Sequence, residues 1–147
     1  MTLKDWLKSG WLTEHQTSRQ EIADLLRVID RDLADCKAVG LSPDWQLSIA
    51  YNAALQVATA ALAACGYRAS REAQHYRAIQ SLLFTMGAEP TMVARLEAFR
   101  KKRNVSGYER TGTVSEQEAR ELAALVTQLR VEFLEWLSRS RPDLLED

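Results

Sequence analysis

The chain has 147 residues, of which 46% are hydrophobic, 27% charged and 7% aromatic, and its formal net charge is −1. That is the size and composition of one globular domain, and it excludes low-complexity, collagen-like and intrinsically disordered chains. A charge near zero argues against a uniformly basic, nucleic-acid-coating protein but leaves room for one local basic patch.

Taken in chain order, nearly everything reads at a helical period, and no segment alternates long enough for a strand. Residues 2–11 form a short amphipathic helix with Leu3, Trp6 and Leu7 on one face. Lys4, Asp5 and Lys8 interrupt any apolar leader, so no signal peptide is expected. Ser18 and Glu21 have capping-box spacing. Behind them Ile22, Leu25, Leu26, Ile29, Leu33 and Cys36 make one stripe, ended by Gly40.

Ser42-Pro43-Asp44 opens the next helix, with a capping side chain, a first-turn proline and an acid at the positive end of the dipole. It runs to about Gly66 and contains eight alanines, a thin profile that lets neighbours approach on several sides. No charged residue falls between Asp44 and Arg68. The stretch nevertheless carries Gln46, Ser48, Asn52, Gln56 and Thr59, and alanine adds little to membrane insertion. It is read as the central buried helix of a soluble bundle rather than a membrane span.

Ser70 is expected to cap a fourth helix bearing Tyr76, Ile79, Leu82, Leu83 and Met86, stopped by Gly87 and Pro90. Thr91 begins another, with Met92, Val93, Leu96 and Phe99 inward. A break is expected over 104–112, punctuated by Gly107 and Gly112. Ser115 and Glu118 form a second capping box. The last helix carries Leu122, Leu125, Val126, Leu129, Phe133, Trp136 and Leu137 up to Pro142, and a frayed tail over 141–147. The fold expected is all-α: a single domain over 1–147, with an up-and-down bundle of four to five helices over about 18–140.

Little conventional enzymology is supported. Cys36 and Cys65 form no CxxC pair and read as buried reduced thiols of a cytoplasmic protein. The only histidines are His15 and His75; Glu72 and His75 make a single Glu-x-x-His, read as a solvated helix edge. No metal or cofactor is expected. Phosphate-binding glycine loops and a serine nucleophile elbow are absent.

One segment stands apart: Arg100-Lys101-Lys102-Arg103-Asn104-Val105-Ser106-Gly107-Tyr108. Met92, Leu96, Phe99 and Arg103 share a helical stripe, so Arg103 continues the inward face and Arg100 flanks it. A guanidinium held there needs an acceptor, and its fork suits phosphate. Asn104 and the Tyr108 hydroxyl add polar partners. Basic residues in the last turn also satisfy the negative end of a helix, and the pattern fits that role as well.

Tyr51-Asn52-Ala53-Ala54, then Ala60-Ala61-Leu62 and Gly66, followed later by Arg103-Asn104 and Tyr108 before a long final helix, resemble HEPN domains over roughly residues 18 to 138. The resemblance implies a helical bundle that forms a homodimer, with this motif near the dimer groove. It also implies RNA or nucleotide as ligand and a small nucleotidyltransferase as a protein partner. Ribonuclease members of that family are metal-independent and often toxins of toxin–antitoxin pairs; they carry a histidine where Tyr108 stands here. A tyrosine with a pKa near 10 exchanges protons poorly at neutral pH. The expectation is therefore a catalytically degenerate member binding a ligand through Arg100, Arg103, Asn104 and Tyr108. Two alternatives stand beside it: a ribonuclease using Arg103, Asn104 and Tyr108, and an interaction bundle with no ligand.

Overall fold

The computed structural model describes residues 2–108 and 114–145, the side chains of 104–108 excepted. Six α-helices carry the fold: α1 (Leu3–Lys8), α2 (Arg19–Asp35), α3 (Pro43–Ala64), α4 (Gln74–Ser81), α5 (Pro90–Tyr108) and α6 (Glu116–Ser140). Two short strands, β1 (Leu12–Glu14) and β2 (Tyr67–Ala69), and a closing 3-10 turn (Pro142–Leu144) complete it. The protein is thus mostly helical, as the periodicity implies.

The capping chemistry places the helix starts. Ser42 accepts from the Trp45 amide, with Pro43 in the first turn of α3. At α6 both arms of the capping box form: the Glu118 amide donates to Ser115 Oγ, and Glu118 Oε1 accepts from the Ser115 amide. At α2 only one arm forms. Ser18 Oγ accepts from the Glu21 amide, but the Glu21 carboxylate turns to His15 Nε2 (2.8 Å) and Thr17 Oγ1 (2.6 Å).

α3 is the centre of the molecule. Thirteen of its residues are buried, eight of them alanine, and it packs most extensively against α6 and α2 and then against α4 and α5. The alanines let four neighbours reach its backbone at close range, and any larger side chain there would have to displace one of them. By length and composition Pro43–Ala64 could cross a membrane, but 72% of its apolar window is buried inside the protein. That surface is already covered by other helices.

Contacts at the helix ends fix the directions. Arg141 Nη1 donates to the Ala64 carbonyl at 2.8 Å, so the C-terminal ends of α3 and α6 lie together and these two helices run parallel. Arg19 Nε donates to the Asp143 carbonyl at 3.1 Å, which brings the start of α2 to the same end and sets it antiparallel. Lys102, late in α5, pairs with Glu118 at the start of α6, so α5 is antiparallel to α6. Between α2 and α3 lies a buried polar pin. Asp32, 5% exposed, accepts from Asn52 Nδ2 at 2.6 Å, and from Arg31 Nε and Nη2 at 3.1 and 3.0 Å.

Several expectations are corrected. The chain contains a β-ladder: β1 pairs antiparallel with β2, Thr13 opposite Arg68. Gly66, at φ 95°, reverses the chain after α3 and feeds it back along 12–14. Two flanking bonds, His15 N to Gly66 O and Ser70 N to Trp11 O, each 2.9 Å, lengthen the ladder. Three-residue strands are too short to show a period. Ser70 therefore does not cap α4; its hydroxyl donates to the Gly10 carbonyl at 2.7 Å. α4 starts at Gln74, behind Ala73 at φ 50°, without a side-chain cap. The break expected over 104–112 does not occur at 104–108, where α5 stays helical through Tyr108; its remainder, with Gly112, lies outside the described residues. The tail is not frayed over its whole length: Leu144 is 5% exposed and belongs to the core. Cys36 is buried, but Cys65 is only half-buried; both are free thiols.

A second, smaller apolar cluster sits under the ladder. Trp6, Leu12 and Leu62 are buried together, and Trp6 meets Trp11 and Phe84 edge-on at 5.5 and 5.4 Å. This cluster fixes α1 and the ladder to the end of α3, and so sets the position of the segment leading into α4.

Candidate basic cleft between α4 and α5

Arg103 follows the inward stripe of α5. Its guanidinium carbon stands 5.4 Å from the centroid of the Tyr51 ring, on α3. Tyr51 is fully buried, and its hydroxyl has no hydrogen-bond partner among the described residues. Burial pushes the phenol far above its usual pKa; the cations of Arg100 and Arg103 act in the opposite sense. Tyr51 therefore stays neutral and serves Arg103 as an aromatic platform.

Arg100 is one turn earlier and is held from two sides. Glu97 accepts from its Nε at 2.9 Å and from its Nη2 at 2.6 Å. Its guanidinium carbon also lies 5.6 Å from the Tyr76 ring centroid. The bidentate bond to Glu97 raises the Arg100 pKa further, so its charge is permanent and its plane is fixed. Lys102 is tied to Glu118, whose carboxyl that bond holds below the usual carboxylate range. Lys101 is exposed. Arg100 and Lys102 thus have carboxylate partners on the protein, and because α5 runs on to Tyr108 neither stands in its last turn, where the helix-end role would place it. Asn104 and Tyr108 lie in α5, but their side chains fall outside those described, so only Arg100 and Arg103 of the expected set are placed.

The structure brings one unexpected group to this place. His75, read from sequence as a solvated helix edge, sits at the start of α4 and lines a cleft of about 520 Å³ with Arg71, Tyr76 and Arg100. It remains exposed, yet partial burial of its ring lowers its pKa below the ordinary 6.5, and the nearby cations of Arg103 and Arg100 lower it further. The Glu72-x-x-His75 pattern gives no sign of this position. Only the turn after the β-ladder and the left-handed Ala73 bring it against α5.

A second cleft adjoins it. Arg71 and Gln74 line both; the second, of about 490 Å³, reaches Arg68 on β2 and His15. Arg71 has no hydrogen bond or ion pair among the described residues. Arg68, Arg71 and Arg100 thus line the two clefts, with His75 and Tyr76 beside Arg100; Arg103 lines neither but lies near enough to His75 to act on its charge. Arginines so placed suit phosphate groups in succession, and the exposed Tyr76 ring offers a surface on which a base could stack. No set of three or more His, Cys, Asp or Glu side chains that could hold a metal ion occurs among the described residues.

Compared with protein-family models, with curated proteins and with solved structures, the chain matches none.

Proposed function

We propose that this chain is a HEPN-like, catalytically degenerate helical bundle that binds a single-stranded RNA through its phosphates at the α4–α5 face. The observation that carries the reading is the adjacency of two clefts that share Arg71 and Gln74, with Arg68 lining one and Arg100 the other. A mononucleotide would fill one cleft; two adjacent clefts with arginine in each suit a strand. The stacking of Arg103 on Tyr51 and the clamp of Glu97 on Arg100 support it by fixing both guanidinium groups before a ligand arrives. In keeping with the resemblance, the protein would act as a homodimer and pair with a small nucleotidyltransferase.

The test is a titration of a labelled single-stranded RNA of about ten nucleotides against AMP at fixed salt. Binding of the RNA that falls steeply with salt, with AMP at least tenfold weaker, supports the reading. No measurable affinity for either ends it.

A second reading is favoured by one observation. His75 lies within the electrostatic reach of Arg100 and Arg103, and a histidine is the proton-exchanging group missing at position 108. On that reading the protein is a metal-independent endoribonuclease. RNA cleaved in the presence of EDTA by the wild type, and left intact by His75→Ala, would select it.

A further inference from the structure

A cleft of about 700 Å³, larger than either basic cleft, lies between the end of α2, the start of α3 and the first half of α6. Its floor is apolar. Ala119 and Ala123, one turn apart on α6, and Cys36 at the end of α2 are buried there, and the exposed methyl of Ala124 extends it. Sites for small ligands have volumes of this order, roughly 300–1,000 Å³. The chain beside the cleft is apolar too. Lys37 and Gln46 line it; Val39, two residues past Lys37, is fully exposed, and Trp45, next to Gln46, is 65% exposed. Among the described residues these are the two most exposed large apolar side chains. Apolar surface gathered in this way beside a cleft marks a place where something binds.

The polar groups of the cleft select the charge of a ligand. Lys37 is exposed and has no hydrogen bond or ion pair among the described residues. Arg120 pairs with Glu116 at 3.8 Å, both side chains over 70% exposed, a contact worth little in solvent. Two cations and one carboxylate leave the cleft with one positive charge. A ligand with a single negative charge balances it. A phosphate monoester, with a charge of about −1.5 to −2, would leave an excess negative charge beside Glu116. The Gln46 amide adds a neutral donor from α3. No aromatic ring lines the cleft, so stacking does not favour a planar ligand, whereas a flexible chain can follow a floor of methyl groups.

We propose that this cleft binds a medium-chain aliphatic monocarboxylate, its carboxylate held by Lys37 and Arg120 and its chain lying on the methyl groups of Ala119, Ala123 and Ala124. Small side chains at these three positions let the chain lie close to α6, and each methylene laid there leaves water. The cations fix which end of the ligand lies at Lys37, and the floor supplies most of the affinity, in proportion to chain length. This inference uses no residue of the basic cleft and does not rest on RNA binding.

Calorimetric titration of the full chain with hexanoate, octanoate and decanoate, all below their micelle-forming concentrations, tests it. Octanoate should bind with a dissociation constant below about 1 mM. Affinity should rise by about two- to fourfold for each methylene added along the series. Octanol, with a chain of the same length and no charge, should bind at least about fivefold more weakly than octanoate, and octylammonium more weakly still. Lys37→Glu, folded by circular dichroism, makes the net charge of the cleft negative; it should weaken octanoate by at least about tenfold and leave octanol unchanged. Ala123→Phe fills the floor and should abolish binding of both. Ala124→Phe, at an exposed position, reads the same thing if the buried substitution fails to fold. No octanoate binding at millimolar concentration overturns the proposal. So does equal affinity for octanoate, octanol and octylammonium, or an affinity that neither Lys37→Glu nor a filled floor changes. RNA titration of the Lys37→Glu protein reads the basic cleft separately, so failure of either proposal is told apart from failure of the other.

Discussion

Arg103 of α5 stacks on Tyr51 of α3, 5.4 Å from guanidinium carbon to ring centroid, and so ties the helix that carries Arg100 to the most buried helix of the protein. One side chain thereby serves two ends: it covers a buried ring and it holds a positive charge within electrostatic reach of His75. Arg103→Ala should lower stability by about 0.5–2 kcal/mol through loss of the cation–π contact. It should also weaken RNA binding by about ten- to hundredfold, the worth of a charge-assisted contact. Arg103→Lys should recover part of the affinity, since an ammonium lacks the guanidinium fork. A melting curve and a binding isotherm on each variant measure the two effects separately. Loss of stability with unchanged affinity would remove Arg103 from the site.

Tyr51 carries a buried hydroxyl with no hydrogen-bond partner among the described residues. Leaving such a group unpaired costs about 1–3 kcal/mol. Tyr51→Phe keeps the ring under Arg103 and removes the hydroxyl, so it should stabilise the fold by about 1 kcal/mol. Equilibrium denaturation in urea checks this, and a midpoint that falls would show that the hydroxyl is satisfied in solution.

Asn52 and Asp32 form the polar pin between α3 and α2, with 2.6 Å between Nδ2 and Oδ2. Asn52→Ala removes a donor from a carboxylate that is 5% exposed. The charge stays behind with one partner fewer, so a loss of about 2–3 kcal/mol is expected. The pair Asn52→Leu/Asp32→Leu, which removes both polar groups, should recover much of that loss. The double-mutant cycle in urea separates the pair from its surroundings.

His75 titrates below its ordinary value of 6.5 because its ring is partly buried and because Arg100 and Arg103 repel its proton; Arg71 and Glu72 are the other charged groups beside it. A group lowered on folding contributes stability that is fully present above 6.5 and is lost as pH falls through the folded value. A bound phosphate reverses the sign by favouring the protonated ring. RNA affinity should therefore rise as pH is lowered from 8 to 6, by no more than about tenfold per unit for one proton. His75→Gln should flatten the profile without changing affinity at pH 8. A flat wild-type profile would place the phosphates away from His75.

How much of this was legible in the sequence differs from element to element. The starts of α3 and α6 were readable because their capping serines bond to amides only three residues away. The central place of α3 was readable because so many alanines in one helix leave room for neighbours on every side. Arg103 was readable as inward-facing, because the period of α5 continues through it. All of these are local: spacing along one helix settles them.

The rest required distant segments to meet. The ladder between 12–14 and 67–69 has no signature of its own and exists because the turn at Gly66 returns the chain alongside β1. That ladder moved the start of α4 from Ser70 to Gln74 and gave the Ser70 hydroxyl to Gly10. The same displacement carried His75 to the cleft beside Arg100, a position no spacing rule could supply. The sequence by itself determined a mostly helical chain with an alanine-rich core and a cluster of cations on α5. The Glu97–Arg100 pair is one turn of α5 and so is local, but only the tertiary structure decided that Lys102 is tied up by Glu118 of α6 and which groups join Arg100 in one cleft. The physical reason is range. Caps and amphipathic stripes act over one or two turns, whereas a charged cleft is a sum over segments that only chain reversal and packing bring within a few ångströms.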